Sequence, residues 1–191
     1  MSVSLSKGGN VSLTKLAPSL ARVVVGLGWQ SRGAGITYDL DASALLCGAD
    51  GKVLSDAHFI FFNNLHSPDN SVVHEGDVID DSTGNDDETI RVDLSSLPRT
   101  VDRIVFPVSI YDAEPRHQNF GQVVGAYIRI VDESTSTELA RYDLSEDAST
   151  ETAMVFGELY RRSGEWKFRA IGQGYASGLA GIARDYGVNV G

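Results

Sequence analysis

Cysteine is nearly missing from this chain of 191 residues: Cys47 stands alone. A single thiol cannot close an internal bridge, so a reducing compartment suits the protein. Cys47 follows Ala44, Leu45 and Leu46, a context that predicts a small buried core residue. Long apolar runs are missing too. No stretch approaches the roughly 20 residues of a membrane span, and no apolar run of signal-peptide length follows Met1 to Asn10. The chain is therefore expected to be cytoplasmic, with any contact to the inner membrane peripheral. Positive charge is scarce: 16 Lys and Arg stand against 26 Asp and Glu, for a net charge of -10. Such a chain repels phosphate backbones, which excludes nucleic acid as a first choice of partner.

The usual catalytic signatures are absent as well. The four histidines, His58, His66, His74 and His117, form no pair at metal-binding spacing. No nucleophile elbow occurs, because Ser177 in Gly174-Tyr175-Ala176-Ser177-Gly178 sits one place late. No Walker loop occurs. Gly172-Gln173-Gly174 between a strand and a helix imitates a dinucleotide-binding turn. Its third glycine, Gly178, lies one residue too far along, and no second parallel strand follows. Paired acids suit glycoside hydrolysis, but no aromatic sugar platform is evident, since Trp29 and Trp166 fall in expected strands. A carboxylate-based hydrolase is thus the weakest of the available readings, and no small-molecule substrate is identified.

What remains is a series of short apolar or alternating runs. Arg22 to Trp29, Tyr38 to Cys47, Phe59 to Phe62, Thr89 to Leu94, Arg103 to Tyr111 and Val123 to Val131 read as strands. Ala153 to Arg162 and Glu165 to Gly172 form a hairpin about Ser163-Gly164. Leu179, Ile182, Ala183 and Tyr186 have helical spacing, with Gly187 as the stop. The fold class is all-β: a two-sheet β-sandwich with acidic loops and a short C-terminal helix, in one domain over residues 1–191.

Acid is concentrated between Ser67 and Glu88. Asp69, Glu75, Asp77, Asp80, Asp81, Asp86, Asp87 and Glu88 occur there without one Lys or Arg. Crowded carboxylates repel one another, so either they point separately into water or a cation gathers them. Oxygen ligands on an irregular loop suit calcium, whereas zinc favours nitrogen and sulfur. Asp39 and Asp41, two apart in a strand, share one face and supply a second wall. The EF-hand template fails: with Asp80 first, the sixth position is Asn85 and the twelfth Arg91. A second acidic stretch, Asp143 to Glu151, reads as a polar turn.

Several longer strings resemble the TerD family. They are Leu5-Ser6-Lys7-Gly8-Gly9-Asn10-Val11-Ser12-Leu13, Val25-Gly26-Leu27-Gly28-Trp29, Asp39-Leu40-Asp41-Ala42-Ser43-Ala44, and the run from Ala140 to Met154. Phe120-Gly121-Gln122-Val123, Phe156 to Arg161 and Gly164 to Ala170 continue the likeness, which runs essentially end to end. The resemblance implies a calcium-binding, non-enzymatic β-sandwich module of tellurite-resistance and general stress operons. It implies Ca2+ as the bound ion, held by Asp39, Asp41, Asp69, Asp77, Asp86, Asp87 and Glu88. It also implies other stress-operon proteins and membrane-associated complexes as partners. Val78 stands where the family carries Asn, Gly84 where it carries Asp, and Gln30 where it carries an acid. One ion site is therefore expected and a second is left open, with Asp80 and Asp81 as replacements. A metal-independent interaction module of the same family is the alternative. A lone buried Cys47 also argues against thiol chemistry on tellurite.

Overall fold

Thirteen strands and two α-helices order this chain in a computed structural model that describes residues 1–31, 38–77, 86–144 and 150–191, without the side chains of Ser31 and Asp77. In chain order they are β1 (Val3–Leu5), β2 (Asn10–Ser12), α1 (Leu13–Leu16), β3 (Arg22–Ser31), β4 (Leu40–Ala42), β5 (Ala44–Cys47) and β6 (Phe59–Ile60). There follow β7 (Val72–Asp77), β8 (Glu88–Asp93), β9 (Arg103–Ile110), β10 (Val123–Asp132), β11 (Thr137–Asp143), β12 (Ala153–Arg162), β13 (Glu165–Tyr175) and α2 (Gly178–Asp185). One sheet runs β1-β11-β10-β3-β8-β7. The other runs β2-β13-β12-β9-β5-β6, with β4 also paired to β9. The expected all-β sandwich is observed.

Alternation decides which side chains meet between the sheets. Val23, Val25 and Leu27 of β3 join Ile90 and Val92 of β8 on one inner face; Ile104, Phe106, Val108, Phe156 and Phe168 answer from the other. A second apolar cluster lies on the outer face of the β9-containing sheet, where Leu45, Cys47, Val105 and Val155 pack beneath Ile182 and Ala183 of α2. This explains why β5 is buried on both faces. The β12–β13 hairpin turns at Ser163 and Gly164, with φ of 53° and 75°, both in the left-handed region that a two-residue turn of this hand requires. Helix α2 ends at Gly187, whose N–H reaches Arg184 O while Val188 N–H reaches Ala183 O, a Schellman closure.

Two expected strands differ in extent. The run Tyr38 to Cys47 is interrupted at Ser43, which faces Pro107 of β9. Proline has no N–H to offer, and the Ser43 N–H and hydroxyl both donate to Pro107 O, at 2.9 and 3.2 Å. The aromatic run ends at Ile60 because Phe61 and Asn64 exchange backbone bonds of 3.0 and 2.9 Å around a tight turn. That turn leaves Phe62 exposed.

The two sheets are tied together at β4. Tyr111 N–H donates to Asp39 O and Ser43 N–H to Pro107 O, so alternate backbone groups here face β9. Ala42 turns its own N–H and C=O the opposite way, where no described strand pairs with it. Side chains from the other sheet replace the missing strand. Ala42 N–H donates to Glu88 Oε2 at 2.5 Å, and His74 Nε2 lies 3.0 Å from Ala42 O. Gly76 N–H donates to His74 Nδ1 at 2.9 Å, which leaves the ring proton on Nε2, directed at Ala42 O. Both side chains are deeply buried, Glu88 at 2% and His74 at 4% exposure. Burial works against a charged His74 ring; the nearby Glu88 carboxylate, the Ala42 carbonyl and Asp41 outweigh it and raise the pKa. The Gly76 N–H sits where a second ring proton would have to go.

Glu88→Ala leaves the Ala42 N–H buried without an acceptor and is expected to cost about 2–4 kcal/mol in urea unfolding. His74→Phe keeps the ring volume but strands Ala42 O and Gly76 N–H, and is expected to cost about 1–3 kcal/mol. Burial also pushes the Cys47 thiol up to about 12, only partly offset by Arg103. The native protein is therefore expected to resist a maleimide at neutral pH, while Ile182→Ala, which loosens α2 at a cost of about 2–5 kcal/mol, accelerates labelling.

Candidate functional site

Glu88, Asp87 and Asp86 are consecutive in sequence, yet the fold sends them to three different places. Glu88 enters the space between the sheets, as described above. Asp87 folds back on β3: its N–H donates to Leu27 O at 2.7 Å, and its Oδ2 accepts from Trp29 N–H at 2.9 Å. Asp86 lies against Arg129 of β10. Arg129 Nε is 2.9 Å from Oδ1 and Nη2 is 2.7 Å from Oδ2, while the Tyr127 hydroxyl donates to Oδ1 at 2.8 Å. This is a forked charge-assisted pair with a third donor added. Hydrogen bonding to Asp86 raises the Arg129 pKa, and burial together with the same carboxylate raises that of Tyr127.

The two glycines of Gly26-Leu27-Gly28 make room for this arrangement. A Cβ on Gly28 would come within 2.5 Å of the Tyr127 ring, and one on Gly26 would strike the Asp86 carboxylate. Glycine is required here for space, on the face of β3 opposite the buried Val25 and Leu27.

Asp69 performs a local task. Its Oδ1 accepts from Ser71 N–H at 3.1 Å, Ser71 hydroxyl at 2.7 Å and Ser67 hydroxyl at 3.0 Å. Partial burial opposes its charge, but these bonds prevail and hold its carboxyl below the usual range. It closes the turn that leads into β7. Of Asp77, Asp80 and Asp81, the side chain of the first and all of the other two lie outside the described residues, as do Val78 and Gly84. In the second acidic stretch, Asp143 pairs with Arg141 at 2.9 Å; residues 145–149 lie outside the description.

Asp39 and Asp41 stand side by side on one face, as a period of two in a strand expects. Leu40 and Ala42 point into the core between and beyond them, and the two carboxylates line a cleft of about 420 Å³. His74, Gly76 and Glu88 form its inner side; Phe62, Leu65 and Tyr111 form the remainder. The sequence gives no direct signal for these last three. The exposure of Phe62 follows from the turn after β6, and Tyr111 is placed by its N–H bond to Asp39 O. Among the described residues, no group of three or more His, Cys, Asp or Glu is arranged to enclose a metal ion. Asp39 and Asp41 offer hard oxygen donors that fit part of a calcium sphere. Asp69, Asp86, Asp87 and Glu88 accept hydrogen bonds from protein groups.

Among the described residues, no helix is long and apolar enough to cross a membrane. The model of the TerD domain matches residues 1–186. Tellurium resistance protein TerD of Serratia marcescens is 60% identical over 190 residues, covering 99% of each chain. General stress protein 16U of Bacillus subtilis is 53% identical over 193 residues, covering 100% of each. A crystal structure of a protein of unknown function superposes with a TM-score of 0.69 at 27% identity, covering 89% of this chain and 98% of that one. The crystal structure of a homologue of telluride resistance protein TerD from Streptomyces coelicolor gives 0.68 at 21% identity, over 90% and 100%, a likeness of fold alone. The chain belongs to the TerD family of tellurium resistance and general stress proteins.

Proposed function

We propose that this chain is a calcium-binding scaffold or sensor of the stress response, acting without catalysis, and that the ion sits against Asp39 and Asp41. The single observation that carries the reading is their shared cleft wall, fixed by the burial of Leu40 and Ala42 on either side of Asp41. Two carboxylates leave roughly four or more coordination positions to water and neighbouring oxygens. Gly76 lines the same cleft and is followed directly by Asp77. Neutralising this wall changes the charge of a surface open to partners, which are other proteins of the stress operon, at the cytoplasmic side of the inner membrane.

A metal-independent interaction module is the second reading. It is favoured by the engagement of Asp69, Asp86, Asp87 and Glu88 with protein donors. In that case the acids brace loops and the cleft acts alone.

Melting curves with calcium and with chelator separate the two. An ion that binds only the folded chain adds about 2.7 kcal/mol at a hundredfold excess over its dissociation constant. The calcium increment is expected in the native protein and lost in Asp39→Asn/Asp41→Asn; coincident curves for the native protein reject the ion. Asp86→Asn serves as the contrast. Losing its charge weakens the Arg129 fork, with an expected cost of about 1–3 kcal/mol, while the calcium increment stays as in the native protein.

A further inference from the structure

Charge is divided unevenly along the sandwich. Helix α1, residues 99–103 and residues 158–169 together carry seven Lys and Arg against three Asp and Glu; the remainder of the chain carries nine against 23. The fold brings these segments to one end, where β9 begins and the β12–β13 hairpin turns. Glu158, only 4% exposed, lies between two guanidiniums, 3.6 Å from Arg103 Nη1 and 3.4 Å from Arg169 Nη1. One carboxylate thus serves two cations. Arg161 lies over the Trp166 ring at 4.7 Å and donates to the carbonyls of Leu97 and Pro98 at 3.2 and 3.0 Å. Arg99 is near enough to repel it. Arg162 is exposed at the hairpin tip, and Lys167 is half-buried on the second arm. Trp166 N–H donates to Thr14 Oγ1 at 2.9 Å, which fixes α1 beside the hairpin. Lys15 of α1 meets Glu165 at 3.8 Å with its side chain 75% exposed, and Leu16 follows it at 41% exposure.

We infer that this end of the sandwich docks on an anionic phospholipid surface. Charge complementarity selects the partner, although the whole chain is negative. Asp39 and Asp41 lie past the far end of β9, about 23 Å from Arg103 along the strand. Salt screens charge over about 8 Å, so those acids do not govern an approach from the basic end. At the same end of the neighbouring sheet, Asp93 and Glu133 are paired with Arg22 and Arg91. Apolar side chains among the cations favour lipid over nucleic acid. An exposed Leu16 and a half-buried Trp166 beside Lys and Arg have the composition of an interfacial anchor. Arg161 covers one face of Trp166 and the core packs against the ring, so it offers no platform for a base. The inference goes beyond the ion reading and stands without it. Docking this way leaves the Asp39/Asp41 cleft at the end remote from the lipid.

The test sediments the full chain, in chelator, with vesicles of phosphatidylglycerol mixed with phosphatidylcholine and with vesicles of phosphatidylcholine alone. Binding is expected to the anionic vesicles only, and to fall as salt rises. Each cation removed is expected to weaken it about fivefold. Arg99→Gln should show that loss, and Arg162→Gln/Lys167→Gln a loss of at least about tenfold. Leu16→Ser should weaken binding about threefold. Lys7→Gln, an exposed change in the turn before β2, should bind as the native protein does. An unchanged urea midpoint shows that each variant folds. Absence of binding to the anionic vesicles, equal binding to phosphatidylcholine alone, or losses no greater than that of Lys7→Gln overturn the docking surface. Polyuridylate that binds the native chain while vesicles do not, and is released by Arg162→Gln/Lys167→Gln, gives this end to nucleic acid and overturns it too. Coincident melting curves with calcium and chelator reject the ion and leave the vesicle result standing; failure with vesicles leaves the ion reading untouched.

Discussion

The grip of Glu88 and His74 on Ala42 sets the geometry of everything around the cleft. An unpaired strand edge presents N–H and C=O groups that must be satisfied. Here one sheet satisfies the edge of the other by side chains, with Glu88 accepting from Ala42 N–H and His74 donating to Ala42 O. Because both donors and acceptors are buried, each bond is costly to leave unmade. The interaction therefore fixes the distance between β4 and the β7–β8 pair. Asp39 and Asp41 are carried on one side of that junction, and Gly76, which also holds the His74 ring, is on the other.

The acidic stretch illustrates the difference between charge that is crowded in sequence and charge that is crowded in space. Three successive acids at the start of β8 leave in three directions, each to donors that were positioned by the sheets. Mutual repulsion is relieved by separation and by hydrogen bonding, and Arg129 supplies a full counter-charge to Asp86. The net charge of -10 thus says little about any one surface. Nor does an acidic loop by itself indicate an ion: the carboxylates with the richest hydrogen bonding are the ones least available to a metal.

Periodicity made much of the sandwich legible. The β-branched alternation of Arg22 to Trp29, the Ser163-Gly164 hairpin and the i, i+3, i+4, i+7 spacing before Gly187 each correspond to an observed element. Short or polar strands were not legible. β1 and β2 have three residues each, and β7 carries His74, Glu75, Gly76 and Asp77 in a row, a pattern that resembles a loop. Their pairing is a tertiary property, since β1 joins β11 in parallel across more than a hundred residues. At the site, Asp39 and Asp41 were readable because a period of two puts them on one face. The Arg129 fork was not. Gly26 and Gly28 are visible as small residues in a strand, but that they clear space for Tyr127 and Asp86 depends on the register of β3 against β10.

The walls of the cleft are braced from behind. Ordering side chains on binding consumes free energy, so a site that is already ordered binds more tightly for the same contacts. Asp41 lies between two core residues, Leu40 and Ala42, and the backbone of Asp39 is bonded to Tyr111. The Phe59–Phe61–Phe62 ladder anchors the opposite wall in the core. Acid and apolar surface are thus presented at a fixed separation by two independently braced elements.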